Sequence, residues 1–101
     1  MEEFDARLEE YRRFAELGDA NSQFNMGLSY FNGVGVAVDK SEGVKWLRLA
    51  AAQGHADAQC NLGTVYSNGD GVSVDKDKSA KLFKLAALMF LSLLESSQQI
   101  L

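Results

Sequence analysis

The chain has 101 residues, with 14 acidic against 10 basic side chains, a net charge of −4, no proline and a single cysteine. That length holds one small domain, and 47% hydrophobic with 24% charged residues is the balance of a folded chain, not a disordered one. An acidic surface repels phosphate backbones, which argues against nucleic acid as a ligand, and one cysteine excludes an internal disulfide or a thiolate metal cluster.

Apolar residues recur at helical spacing from the start. Phe4, Leu8, Tyr11, Phe14 and Ala15 form one stripe, while Glu2, Glu9, Arg12, Arg13 and Glu16 take the opposite face. Gly18 is placed to stop this helix. The next one gathers Ala20, Gln23, Phe24, Gly27, Tyr30 and Phe31 into one sector at about 100° per residue, with Met26 at its edge. Asn32 to Asp39 then reads as a turn in which Gly33 and Gly35 supply positive φ and the valines tuck beneath. It is not a nucleotide loop, because no strand precedes it and no third glycine or Lys-Ser/Thr pair follows. Asp39 is a candidate N-cap with Glu42 three residues on, the spacing of a capping box. The helix after it buries Val44, Trp46, Leu47, Ala50 and Ala51, and Gly54 ends it.

The chain then repeats itself. Residues 18–53 laid over 54–89 without a gap give 17 identities in 36 positions, among them Gly27/Gly63, Tyr30/Tyr66, Gly33/Gly69, Gly35/Gly71 and Asp39/Asp75. The copy places Ala56, Gln59, Cys60, Gly63, Tyr66 and Ser67 in the buried sector with Leu62 at its edge, then Ala80, Leu82, Phe83, Ala86 and Ala87 on the second helix. Units of this length stack, since each is too small to bury its own apolar face. Gly27 and Gly63 fall mid-helix, where glycine costs roughly 1 kcal/mol relative to alanine. Using that penalty twice implies close helix approach, expected against Ala50-Ala51 and Ala86-Ala87. Asp70, Asp75 and Asp77 lack calcium-loop spacing.

The period calls for glycine at position 90, where Phe90 stands. The last helix is therefore expected to run from about Lys76 into the nineties and fray from Glu95 to Gln99. Leu85, Leu88, Met89, Phe90, Leu91, Leu93 and Leu94 cover almost every direction around it, yet the stretch is too short to span a bilayer. Three readings stay open: this end folds over the last hairpin as a cap, Leu88, Phe90, Leu91 and Leu94 form a homodimer or partner surface, or truncation or a shifted frame has left a fragment of a longer repeat adaptor.

With Ala56-Asp57-Ala58-Gln59-Cys60-Asn61-Leu62-Gly63 leading to Tyr66, Gly69, Gly71-Val72 and Asp75, the pattern resembles the Sel-one-like repeat, a tetratricopeptide relative. The likeness covers Ala20 to about Ala87. Gly43 and Ser79 stand where that family has alanine, and Leu82 replaces its tryptophan, which Trp46 keeps. The resemblance implies an all-α, α/α solenoid of two hairpins, residues 18–53 and 54–89, between an N-terminal capping helix (1–17) and a C-terminal helix extension and tail (90–101). It implies a cytoplasmic adaptor or scaffold that binds protein, with no cofactor. Cysteine-rich relatives linked to β-lactam hydrolysis pair cysteines within each unit, and Cys60 alone lacks that framework.

Rotating away from the buried sector, the first helices carry two matching columns, Asn21, Asn25, Leu28 and Asn32, and Asp57, Asn61, Thr64 and Asn68. Each column spans about 60° of helix surface. In stacked hairpins these helices line the concave side, so the columns would share one groove suited to an extended peptide, with amides that both donate and accept. The alternative is structural: Asn25 and Asn61 bond the neighbouring helix backbone, while Asn32 and Asn68 shape the turns. No catalytic or metal-binding set emerges. Cys60 reads as a small core residue, and His55, the sole histidine, as an exposed residue after a helix-ending glycine. The acidic start, Met1-Glu2-Glu3-Phe4-Asp5, lacks the pattern of a secretory signal, so a reducing cytoplasm is the expected setting.

Overall fold

A computed structural model describes residues 5–99. Within them the chain forms five helices: α1 (Ala6–Glu16), α2 (Ala20–Asn32), α3 (Lys40–Ala52), α4 (Ala56–Asn68) and α5 (Lys76–Gln99). Each packs on its neighbour in the chain, giving an all-α stack of hairpins that measures 51 × 32 × 18 Å.

Side chains start every helix. Asp5, Asp19, Asp39 and Asp75 accept the N–H groups of Leu8, Ser22, Glu42 and Lys78 at 2.8, 2.9, 3.1 and 3.0 Å, satisfying first-turn donors that have no partner inside the helix. At Asp19 the Ser22 hydroxyl, and then its backbone N–H, hold the carboxylate below its ordinary range. The fifth cap is His55, whose Nδ1 accepts from the Ala58 N–H at 3.1 Å. The capping box expected at Asp39 is only half made. The Asp39 N–H already donates to the Tyr30 carbonyl at 2.9 Å, so Glu42 pairs with Lys45 instead. Gly18 and Gly54 end α1 and α3 with φ of 100° and 87°. At Gly54 the chain closes with the Gly54 and His55 N–H groups on the Ala51 and Ala50 carbonyls.

The core differs from the sequence expectation in its phase. Its larger cluster joins Val44, Leu47, Ala50 and Ala51 of α3 to Ala58, Leu62, Val65 and Tyr66 of α4; the other holds Leu8, Ala15, Met26, Tyr30 and Val36. Ala50-Ala51 therefore face the next hairpin and not Gly27. A Cβ on Gly27 would lie 2.9 Å from Leu47 and 3.1 Å from the Gly43 carbonyl, while one on Gly63 would lie 3.1 Å from the Phe83 ring. The first helix of each unit thus has two partners, one within its hairpin and one in the preceding unit, and it buries two stripes. That rotation carries Met26 and Leu62 into the interior and leaves Cys60 exposed, contrary to its expected core role.

Smaller departures have local causes. Of the turn valines only Val36 is buried and Val72 half-buried, because the chain reverses about each and points the flanking valines outward. Phe14 is 50% exposed, since α2 covers only the Leu8–Ala15 side of α1, and Phe4 lies outside the described residues. On α5, Ser79 and Ala86 are buried while Ala80, Phe83 and Ala87 are exposed; α4 covers one side, and no described element covers the other. The helix continues unbroken to Gln99 with no fraying after Glu95. It does not fold back as a cap: Leu85, Leu88, Met89, Phe90, Leu91, Leu93 and Leu94 are all at least 40% exposed.

Candidate binding trough

A trough runs between α2 and α4 over the floor of α3. Leu28, Phe31 and Asn32 on one wall and Asn61, Thr64, Val65 and Asn68 on the other enclose about 190 Å³ above Leu47. Asp70 closes one end, and its carboxylate is neutralised by Lys40 Nζ at 2.6 Å. The floor is apolar and the rims are amide-rich, so the surface offers hydrogen bonds beside a dry contact.

Five of the eight residues expected in the two columns meet here: Leu28, Asn32, Asn61, Thr64 and Asn68. The side-chain amides of Asn25, Asn32, Asn61 and Asn68 make no hydrogen bond among the described residues. The Thr64 hydroxyl donates to the Cys60 carbonyl at 3.2 Å and keeps its lone pairs free to accept. The other three column residues lie apart from the cavity. Asn25 is half-buried and Asp57 is exposed. Asn21 is engaged: its Oδ1 is 2.8 Å from His55 Nε2. Since His55 Nδ1 accepts from Ala58, its neutral ring carries the proton on Nε2 and donates it to Asn21. The ring also stacks on Phe24 at 4.7 Å.

That makes His55 a half-buried tie between hairpins and not a loose surface residue. With both ring nitrogens occupied it is not available as a base for Cys60. Among the described residues no group of His, Cys, Asp or Glu could hold a metal ion, and no helix is long and apolar enough to cross a membrane.

Sequence reasoning missed the polar ladder that sets the hairpins in register. Gln23 Nε2 donates to the Ala15 carbonyl and Gln59 Nε2 to that of Ala51, both at 3.2 Å. Gln53 Nε2 then donates to the Gly18 carbonyl at 2.9 Å and to Gln23 Oε1 at 2.8 Å. The repetition of Gln23 as Gln59 was the available signal.

The family model for the Sel1 repeat matches residues 20–55 and 56–89. The chain belongs to the Sel1 repeat family. Among solved structures, this Sel1 repeat chain is similar to a protective antigen present in uropathogenic Escherichia coli strains, with 38% identity and a TM-score of 0.78 over 81% of its length. It is similar also to a Sel1 repeat protein from Oxalobacter formigenes, with 38% identity and a TM-score of 0.77 over 79%. It spans only 18% and 33% of those two chains. No curated protein matches it. Family and fold agree on a Sel1-type α/α module of the kind that serves as a protein-interaction scaffold.

Proposed function

We propose that this Sel1 repeat module is a non-catalytic adaptor that holds an extended peptide segment of another protein in the trough between α2 and α4. The supporting observation is the convergence of Asn32, Asn61 and Asn68, whose amides have no side-chain partner, on one cavity floored by Leu47. A peptide backbone there would gain hydrogen bonds from groups that otherwise face water, with Leu28 and Thr64, the unlike pair in matching positions, setting side-chain preference. The lone Cys60 suits a cytoplasmic setting. The test is selection of peptides from a displayed random library on the wild type, followed by affinity measurement on Leu28→Arg and Thr64→Arg. Selected peptides should bind both variants at least about tenfold more weakly, as truncation or blocking of a central contact does. Unchanged affinity would remove the reading.

A second surface supports a second reading. Leu88, Phe90, Leu91 and Leu94 are 53%, 62%, 53% and 45% exposed on α5, an apolar face of the kind that pairs with another copy or another protein. Light scattering after size-exclusion chromatography should give a dimer for the wild type and a monomer for the Leu91→Glu/Leu94→Glu double variant. A wild-type monomer at high concentration would exclude self-association.

A further inference from the structure

A second groove lies about a third of a turn around α4 from the trough, at 100° per residue. Leu62, Leu82 and Leu85 floor it, Tyr66 forms a side, and it encloses about 340 Å³. Its rim is cationic: Arg48 from α3, and Lys78 and Lys81 from α5. Arg48 donates to Tyr66 Oη from Nε at 2.9 Å and from Nη2 at 2.6 Å, and Lys78 Nζ stands 5.1 Å from the centre of the Tyr66 ring. None of the three cations pairs with a carboxylate among the described residues.

The equivalent place in the first repeat, 36 residues earlier, is built differently. Arg12 is paired with Glu9 and Glu16, and Lys45 with Glu42, which stands where the second repeat has Lys78. Trp46 stands where the second repeat has Leu82, and it packs against the cluster of Met26 and Tyr30. Two exchanges thus remove an indole and reverse a charge. They leave an apolar hollow ringed by unneutralised cations on a chain whose net charge is −4.

We propose that this groove docks a partner peptide presenting one bulky aromatic side chain flanked by carboxylates. The aromatic ring takes the place that Trp46 fills in the first repeat, and the carboxylates meet Arg48, Lys78 and Lys81. Charge complementarity selects this occupant: a basic or neutral segment would leave the rim cations unanswered, and an acidic one also gains from steered encounter. The site is independent of the trough between α2 and α4.

Fluorescence anisotropy with three labelled peptides tests it: one tryptophan flanked by glutamates, by serines or by lysines. The wild type should bind the glutamate peptide at least about tenfold more tightly than the serine peptide and show no binding to the lysine peptide, consistent with complementary charge acting mainly on specificity. Leu82→Trp and Lys78→Glu, each restoring a residue the first repeat already carries, should weaken that binding at least about tenfold while circular dichroism stays unchanged. Equal binding of all three peptides, no binding at millimolar concentration, or full binding by both variants would overturn the proposal. Loss of binding in Thr64→Arg with full binding in Leu82→Trp would place the peptide in the trough, overturning this inference and leaving the first reading intact.

Discussion

Replacing Met89 with glutamine should stabilise the fold. In the first repeat Gln53 Nε2 completes the ladder by donating to Gln23 Oε1 at 2.8 Å. The same position in the second repeat is Met89, whose thioether cannot donate. Gln59 Oε1 is accordingly buried without a partner, although Gln59 Nε2 keeps its bond to the Ala51 carbonyl. The methionine already lies over the right loop, with its methyl carbon 3.4 Å from where a Cβ on Gly54 would stand. A buried acceptor without a donor costs about 1–3 kcal/mol. Against relief of that cost stand the extra ordering of glutamine over methionine, which is small because both side chains lose up to about 1.5–2 kcal/mol when fixed, and the loss of a methionine that is already 40% exposed. The net gain should be about 1 kcal/mol, which raises Tm by about 4–8 °C in a domain of this size. Thermal melts of the wild type, Met89→Gln, Gln59→Leu and the double variant form a cycle. The gain should vanish when Gln59 is leucine, with a coupling of about 1 kcal/mol. An unchanged or lower Tm for Met89→Gln, or the same gain in both backgrounds, would refute the assignment of Gln59 Oε1 as an unanswered acceptor.

The two mid-helix glycines should respond differently to alanine. Gly27→Ala drives a methyl into Leu47, 1% exposed, and the Gly43 backbone, so urea unfolding should show a loss of about 1–3 kcal/mol. Gly63→Ala meets the Phe83 ring first, which is 42% exposed and can swing aside; there the better helix propensity should leave stability level or raise it by up to about 1 kcal/mol. Because the Ser22 hydroxyl and N–H lower the Asp19 pKa, its contribution is full above the ordinary carboxylate value of 3.8 and lost as pH falls through the lowered folded value. Acid titration monitored by circular dichroism should therefore find the difference between wild type and Asp19→Asn shrinking across that window, and a difference that grows as pH falls would contradict it. Cys60 should react with a thiol reagent in the native protein at a rate close to that of a free thiol; protection until denaturation would mean that it is buried after all.

The period of 36 residues carried most of the architecture. Identical glycines and aspartates at matching positions marked where helices begin and end, and Asp39, Asp75, Gly18 and Gly54 do what such residues do at helix termini. What the pattern could not show was how far each helix is rotated. A helix between two neighbours buries two stripes, and a single amphipathic sector averages them, which is why Leu62 was placed at an edge and Cys60 inside. The trough was legible where matching positions diverge from the buried face, as at Asn61 and Asn68. It was misread at Asn21, because its partner His55 replaces the aspartate of the other repeat, and a lone histidine after a glycine gives no sign that it caps a helix. The cation-rimmed groove was hidden for a related reason: the exchange of Trp46 for Leu82 reads as a weakened helix until the hollow it leaves is seen beside Arg48 and Lys78.

The central claim is that the amides in the trough are the docking groups. Nitrogen–proton correlation spectra, recorded while a library-selected peptide is titrated into the labelled chain, observe those side-chain NH2 groups directly. The cross-peaks of Asn32, Asn61 and Asn68 should shift together and saturate with one affinity, while that of Asn21, held by His55, moves little. Shifts confined to α5, with the three trough amides unmoved at saturation, would contradict the account.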